Sequence, residues 1–200
     1  QQLAEKIPKE VPVLLFHSAF LASDREKIEE NLQKLVGKNA NRPKKMIVIG
    51  TQVLEQSLDI DFDVLFTDIA PMDLLIQRIG RLQRHQISRP MTLANPKVFI
   101  SGINKFGDYG KAYEYIYDKY LLMKTDMFLK DYISIPNDVS KLVQSVYDLD
   151  DKTKDDQLSA ALRKFKNKME KSKNKASIFQ ISDPKKRRMK DIHGWLDDDK

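Results

Sequence analysis

Four short, mostly apolar runs in the first 101 residues constrain the fold more than any other feature of the sequence. They occupy residues 11–16, 46–50, 63–67 and 97–101. Strands that are apolar on both faces are typical of a parallel sheet covered by helices on both sides. Helical patterns over residues 23–36 and 72–84 alternate with these runs. The sequence therefore predicts an α/β fold with an open, mostly parallel sheet flanked by helices.

The first helical segment carries signals for both of its ends. Ser23 is predicted to cap its start, with Glu26 at the capping-box position, and Gly37 is predicted to end it. Apolar residues recur at helical spacing and predict one buried stripe, which consists of Ile28, Leu32 and Leu35.

Helical patterns replace strands after residue 102. A helix predicted over residues 108–123 carries a stripe formed by Tyr113, Ile116, Tyr117 and Tyr120. Such stripes mostly pack into a core, and the alternative is a platform on which bases stack. A further helix is predicted over residues 137–149.

A polar, charged break near residues 150–156 is the predicted boundary between two units. The first unit, residues 1–149, contains the sheet and the first helices of the C-terminal extension. The second unit, residues 150–200, is interpreted as a basic linker or docking helix and its tail. Its helix has one narrow apolar stripe, formed by Leu158, Leu162, Phe165 and Met169. The basic cluster at 185–190 indicates either a solvated surface or a nucleic-acid contact.

The segment Gln77–Arg84 is the strongest functional signal in the chain. Arg81 and Arg84 are three residues apart near the end of a predicted helix, and this spacing places both guanidinium groups on one helical face. Two permanently charged, forked donors suit a phosphate group. The alternative is a solvated basic helix face.

The residues upstream of this segment form a recognisable set with it. Residues 47–63 resemble motif V of superfamily 2 helicases, Gln77–Arg84 resembles motif VI, and residues 13–20 resemble the motif IV region. The amino-acid sequences of residues 51–59 and 77–85 are similar to those of the CRISPR-associated helicase-nuclease of type I interference systems. The resemblance covers roughly residues 11–101, and it implies the second of two RecA-like motor lobes.

The resemblance implies a nucleotide site that this chain completes from one side. ATP would lie between two lobes and would be held mainly by the other lobe. Arg81 and Arg84 would reach the γ-phosphate as arginine fingers, and Gln77 would orient the attacking water or a γ-phosphate oxygen. Ser57 and Asp59 would contact the ribose or the edge of the phosphates. For Asp59, a simple turn cap is the alternative.

The same resemblance implies contacts with single-stranded DNA. Thr51 and Gln52, which follow the second apolar run, would face the DNA backbone. Ser18 and Arg25, near the motif IV loop, would do the same. A polar loop residue needs no ligand, so these positions remain open to a purely structural interpretation.

The resemblance also implies the cofactors and partners of the full-length protein. These are ATP with Mg²⁺, the first lobe and the nuclease domain with its own metals, and a CRISPR RNA-guided effector complex in the prokaryotic cytoplasm. No Walker-type loop, Asp-Glu-x-His motif or His-Asp metal site is found in the 200 residues, and the chain does not begin with Met. We therefore expect a piece of a larger protein that is inactive alone and holds no metal itself.

Composition agrees with this interpretation. The net charge of +6 favours a polyanionic partner. The sequence contains no cysteine, which fits a reducing compartment, and no apolar run long enough for a membrane span.

Two other classes of protein remain open. One is a helicase-derived module that binds nucleic acid and has no ATP role. The other is a nucleotide-binding domain of a metabolic enzyme, which would carry a glycine-rich fingerprint after an early strand. In this chain, residues 17–20 follow the first strand and read His-Ser-Ala-Phe.

Overall fold

The computed structural model describes residues 7–55, 58–150 and 155–179. Its four strands are β1 (Val13–Phe16), β2 (Ile47–Gly50), β3 (Val64–Asp68) and β4 (Lys97–Ser101). Its α-helices are α1 (Ala22–Val36), α2 (Met72–Ile79), α3 (Lys111–Ile116), α4 (Lys119–Phe128), α5 (Val139–Tyr147) and α6 (Asp156–Ser177). Short 3₁₀ turns cover Gln52–Glu55 and Met91–Leu93. This order of strands and helices confirms the predicted α/β class.

The strands form two parallel pairs. In the first pair, Phe16 of β1 lies opposite Gly50 of β2. In the second pair, Val64 of β3 lies opposite Lys97 of β4. Over the described residues the hydrogen-bonded ladders therefore form two two-stranded sheets instead of one continuous sheet. A cavity of about 330 Å³ lies between the end of β2 and β3.

Each strand pair has its own core. Phe16, Leu32 and Ile60 are fully buried beneath the first pair, with Ile28 and Leu35 packed against them. This confirms the predicted stripe of α1, and Gly37 is its C-cap as expected. The predicted Ser23 cap is wrong. The helix already begins at Ala22, and its N-cap, Leu21, makes no side-chain capping bond.

The predicted single helix over 108–123 is interrupted. Tyr117 is extended after α3, and the Asp118 carboxylate then caps α4 by accepting the Tyr120 amide at 3.2 Å. A local cap of this kind satisfies an otherwise unpaired amide and so stabilises a new helix start. Tyr120 is fully buried, and Tyr113 and Tyr117 pack against the same core, which confirms the core interpretation. Ile116 is the exception, because it is 56% exposed.

The second core joins α2, α4, α5 and the first half of α6. Leu158 is fully buried in it, and Phe165 stacks on Tyr120 with ring centroids 5.5 Å apart. Farther along α6, Met169 is 47% exposed. The boundary predicted near residue 150 stays a prediction, and the basic cluster at 185–190 lies outside the described residues. Within the described part of the chain, no helix combines the length and apolarity needed to cross a membrane.

We predict that Leu158→Ala lowers the free energy of unfolding of the chain by about 2–5 kcal/mol, because it leaves a cavity in a closed core. Urea denaturation measures this change. Met169→Ala, on the exposed half of the same helix, is the control and should change the free energy much less. Equal effects of the two substitutions would show that the first half of α6 does not belong to the core.

Candidate nucleotide and nucleic-acid site

The helix that carries the motif VI residues ends earlier than predicted. α2 ends at Ile79, and the Arg81 amide then bonds to the Arg78 carbonyl at 3.0 Å. Gln83 has a positive φ of 47°, which is incompatible with a continuing helix. The prediction that Arg81 and Arg84 share one helical face is therefore wrong, because both lie beyond the helix.

Pairing with the segment after motif V fixes this turn. Phe62 and Leu82 form a parallel bridge in which the Phe62 amide bonds to the Arg81 carbonyl and the Gln83 amide bonds to the Phe62 carbonyl, both at 2.8 Å. The residues around Arg81 are thereby held beside residues 59–61. A tertiary contact, and not helical spacing, brings the two motifs together.

A buried carboxylate completes the arrangement. The side chain of Asp61 is 1% exposed, and its two oxygens lie 2.6 and 2.7 Å from the Nη2 atom of Arg89. The same oxygens accept the backbone amides of Arg84 and His85, each at 3.2 Å. The backbone that presents the Arg84 side chain is consequently bonded to Asp61. Arg42 also lies in this network, at 3.5 Å from Asp61.

The predicted nucleotide residues converge on Asp59. Arg84 Nε and His85 Nε2 each lie 3.1 Å from one Asp59 oxygen. Burial lowers the pKa of the Arg81 guanidinium, as does the positive charge of Arg84, while Asp59 acts in the opposite direction. Two guanidinium groups and one carboxylate therefore lie within electrostatic reach of one another.

The other predicted nucleotide residues are less informative. Gln77 is exposed on α2, four residues before Arg81. Ser57 lies outside the described residues.

The predicted DNA-contacting residues gather at one edge of the first strand pair. β1 and β2 run parallel, and the Thr51 amide bonds to the Phe16 carbonyl at 3.2 Å. Ser18 follows β1 in the next turn, and Gln52 begins the 3₁₀ turn after β2. All three are exposed. Arg25, in the first turn of α1, is half-buried, and its Nε atom is buried without a hydrogen-bond partner among the described residues.

Three of the predicted site residues line the cavity between the strand pairs. Thr51 and Gln52 line it from one side, and Arg81 lines it from the other. Between them lie Glu55 and Arg78, whose side chains are ion-paired at 2.6 Å. The described part of the chain contains no group of three or more acidic or histidine side chains that could hold a metal ion.

Sequence reasoning missed the residues that support the site. It assigned no supporting role to Asp61, Arg89 or Glu55. A signal for Asp61 was present, since acidic residues alternate at 59, 61 and 63 beside an apolar run, and a carboxylate at such a position needs a buried partner.

The sequence and fold match one family. The C-terminal region of the CRISPR-associated nuclease/helicase Cas3 matches residues 1–87. The CRISPR-associated nuclease/helicase Cas3 of Streptococcus thermophilus is 44% identical over 196 residues, covering 91% of this chain and 21% of that protein.

Two solved structures agree with this match. The crystal structure of T. fusca Cas3-ADP gives a TM-score of 0.74 at 29% identity and covers 88% of this chain and 21% of that chain. A chain of a CRISPR RNA-guided surveillance complex, in a pre-nicking state, gives 0.68 at 30% identity over 84% of this chain and 21% of its own length. The chain thus spans about a fifth of the length of these relatives.

We predict that Asp61→Asn lowers the free energy of unfolding by about 3–5 kcal/mol, because it removes the buried carboxylate that pairs with Arg89 and leaves the partly exposed Asp63 as the remaining counter-charge. Urea denaturation of the chain gives this difference. Asp63→Asn is the matched control, since Asp63 also bonds Arg89 and Arg42 but is 34% exposed. Comparable losses for both substitutions would contradict a special role of the buried carboxylate.

Proposed function

We propose that this chain, which matches the C-terminal helicase region of the CRISPR-associated Cas3 family, is the second RecA-like motor lobe of an ATP-dependent DNA helicase or translocase. In the full-length protein this lobe acts with a nuclease in type I CRISPR antiviral defence. The observation that carries the proposal is the convergence of Arg81, Arg84 and Asp59 beside the motif V segment.

The donor set of this cluster fits a nucleotide phosphate. Burial and the nearby positive charge of Arg84 both lower the pKa of the Arg81 guanidinium. An anion placed between them would relieve that repulsion and would accept their planar, forked donors. When bound, ATP supplies the γ-phosphate on which charge develops during hydrolysis, and Arg81 and Arg84 stabilise that charge.

Three other side chains complete the proposed half-site. Gln77 is exposed next to this turn and orients water or a phosphate oxygen. Asp59, at 49% exposed, faces solvent beside both arginines and contacts the ribose or the phosphate edge, together with Ser57. We assign Mg²⁺ and the remaining phosphate contacts to the other lobe, so the 200 residues alone do not hydrolyse ATP.

Single-stranded DNA is the proposed polyanion at the edge formed by β1 and β2. Thr51, Gln52 and Ser18 are exposed there, and Arg25 supplies a nearby positive charge with a buried donor that lacks a partner among the described residues. Backbone contacts of this kind position a strand without reading its sequence.

The further proposed partners are the first motor lobe, the nuclease domain and an RNA-guided effector complex. A surveillance complex contains a chain similar to this one, which supports the last of these partners. The nuclease metals belong to the rest of the full-length protein.

We predict that Arg84→Ala in the full-length protein lowers the kcat for ATP hydrolysis by about 10³-fold while nearly preserving affinity for single-stranded DNA. Arg84→Lys should restore little activity, because a flexible point charge does not reproduce the planar fork. Steady-state phosphate release and fluorescence anisotropy measure the two quantities.

Arg163→Ala, on the exposed face of α6, is the control and should leave turnover almost unchanged. If Arg84→Ala instead weakened DNA binding and spared turnover at saturating DNA, the arginine-finger assignment would be wrong. The chain would then be a nucleic-acid-binding module without an ATP role.

We also predict that Arg25→Gln makes the salt dependence of single-stranded DNA binding shallower by about one unit of slope, since one phosphate contact and its counterion are lost. Anisotropy titrations across salt concentrations measure the slope. Lys27→Gln removes the same charge from the exposed part of α1 and is the matched control. An equal change in both variants would indicate a general charge effect.

A further inference from the structure

Arg78 is fully engaged by protein groups. Its Nε donates to Glu55 Oε1 at 2.7 Å, and its Nη2 lies 2.6 Å from the same oxygen. The side chains of Arg78 and Glu55 are only 17% and 11% exposed. A close, largely buried ion pair of this kind holds both of its elements in one geometry.

The remaining donors of Arg78 bind two further elements. Its Nη1 donates to Thr67 Oγ1 at 2.9 Å and to the Asp68 carbonyl at 3.1 Å, both on β3. Its Nη2 donates to the Tyr117 hydroxyl at 2.9 Å, between α3 and α4. All three guanidinium nitrogens are therefore in use, and Arg78 is committed to protein groups instead of a phosphate.

The ion pair is connected through the backbone to both proposed sites. Glu55 ends the 3₁₀ turn that begins at Gln52, so the turn after Thr51 separates the pair from the DNA-contacting residues. On the other side, the Arg81 amide bonds to the Arg78 carbonyl at 3.0 Å, which places Arg81 one turn further along the chain. One turn of backbone thus joins each site to the pair.

On the basis of the proposed function, we infer that the Arg78–Glu55 pair is a positioning contact that couples DNA binding at Thr51 and Gln52 to the placement of Arg81. A shift of the 3₁₀ turn on DNA binding moves Glu55, and Glu55 carries Arg78 and the end of α2 with it. The contact touches neither DNA nor nucleotide. Its role is to make ATP turnover respond to DNA.

Coupling between two ligands commonly amounts to about 5–150-fold in affinity. An interaction that transmits it has a specific signature, namely that removing either partner loses the same coupling. A contact that only stabilises the fold lowers protein stability without changing the response to DNA.

The test measures ATP turnover of the full-length protein with and without saturating single-stranded DNA for Arg78→Lys, Glu55→Gln and the double variant. We expect the ratio of DNA-stimulated to DNA-free turnover to fall at least about fivefold in each single variant. The double variant should show no further fall. Glu55→Gln conserves side-chain size and so tests the pair even if Arg78→Lys does not fold.

Tyr117→Phe is the matched control, because it removes one hydrogen bond from the same guanidinium and leaves both contacts of Arg78 with Glu55 in place. It should retain the stimulation ratio. An unchanged ratio in Glu55→Gln, or an equal fall in Tyr117→Phe, would overturn the inference. Loss of DNA-free turnover with an intact ratio would also overturn it, by placing Arg78 at the nucleotide. A wild-type protein without ATP turnover would instead refute the proposed function.

Discussion

The candidate site depends on one buried charge, the carboxylate of Asp61. Burying an ion is unfavourable unless a counter-charge and hydrogen bonds satisfy it. Here Arg89 supplies the counter-charge, and the amides of Arg84 and His85 supply the hydrogen bonds. Those amides belong to the turn that carries Arg84. Their hydrogen bonds to the buried carboxylate therefore also fix the backbone position from which the Arg84 side chain extends. Stability of the core and geometry of the site are thus set by the same group.

The class of fold was predictable because its signal is local. Apolar runs such as residues 63–67 have to be buried on both faces, and this requirement leaves few arrangements besides parallel strands between helices. The stripe of α1 and its end at Gly37 were predictable for the same reason. The end of α2 was not, because it is set by Phe62, which pairs with residues about twenty positions later in the chain.

The roles of individual arginines were harder to predict than their presence. Arg78, Arg81 and Arg84 lie within seven residues of one another and are chemically identical. Their bonding partners in the structure differ. Arg78 is bonded to four protein groups, whereas Arg84 is paired with Asp59 at a partly exposed position. Such differences arise from residues distant in sequence, so no spacing rule reveals them. Helical spacing grouped Arg81 with Arg84 for a reason that the structure does not support.

The contrast between two ion pairs explains how a fixed turn can carry an arginine side chain that exchanges its partner. The Arg89–Asp61 pair is buried, with side chains 8% and 1% exposed, and breaking it removes the buried partner of a charge that is itself almost fully buried. The Arg84–Asp59 pair is 43% and 49% exposed, and pairs of that kind contribute about 1 kcal/mol or less. Arg84 can therefore exchange Asp59 for another anion at small cost, while the backbone beneath it stays bonded to Asp61. The backbone of the turn is held by the core, and the exposed Arg84 side chain can change its ion-pair partner. The proposed role of Arg84 at a phosphate requires both properties.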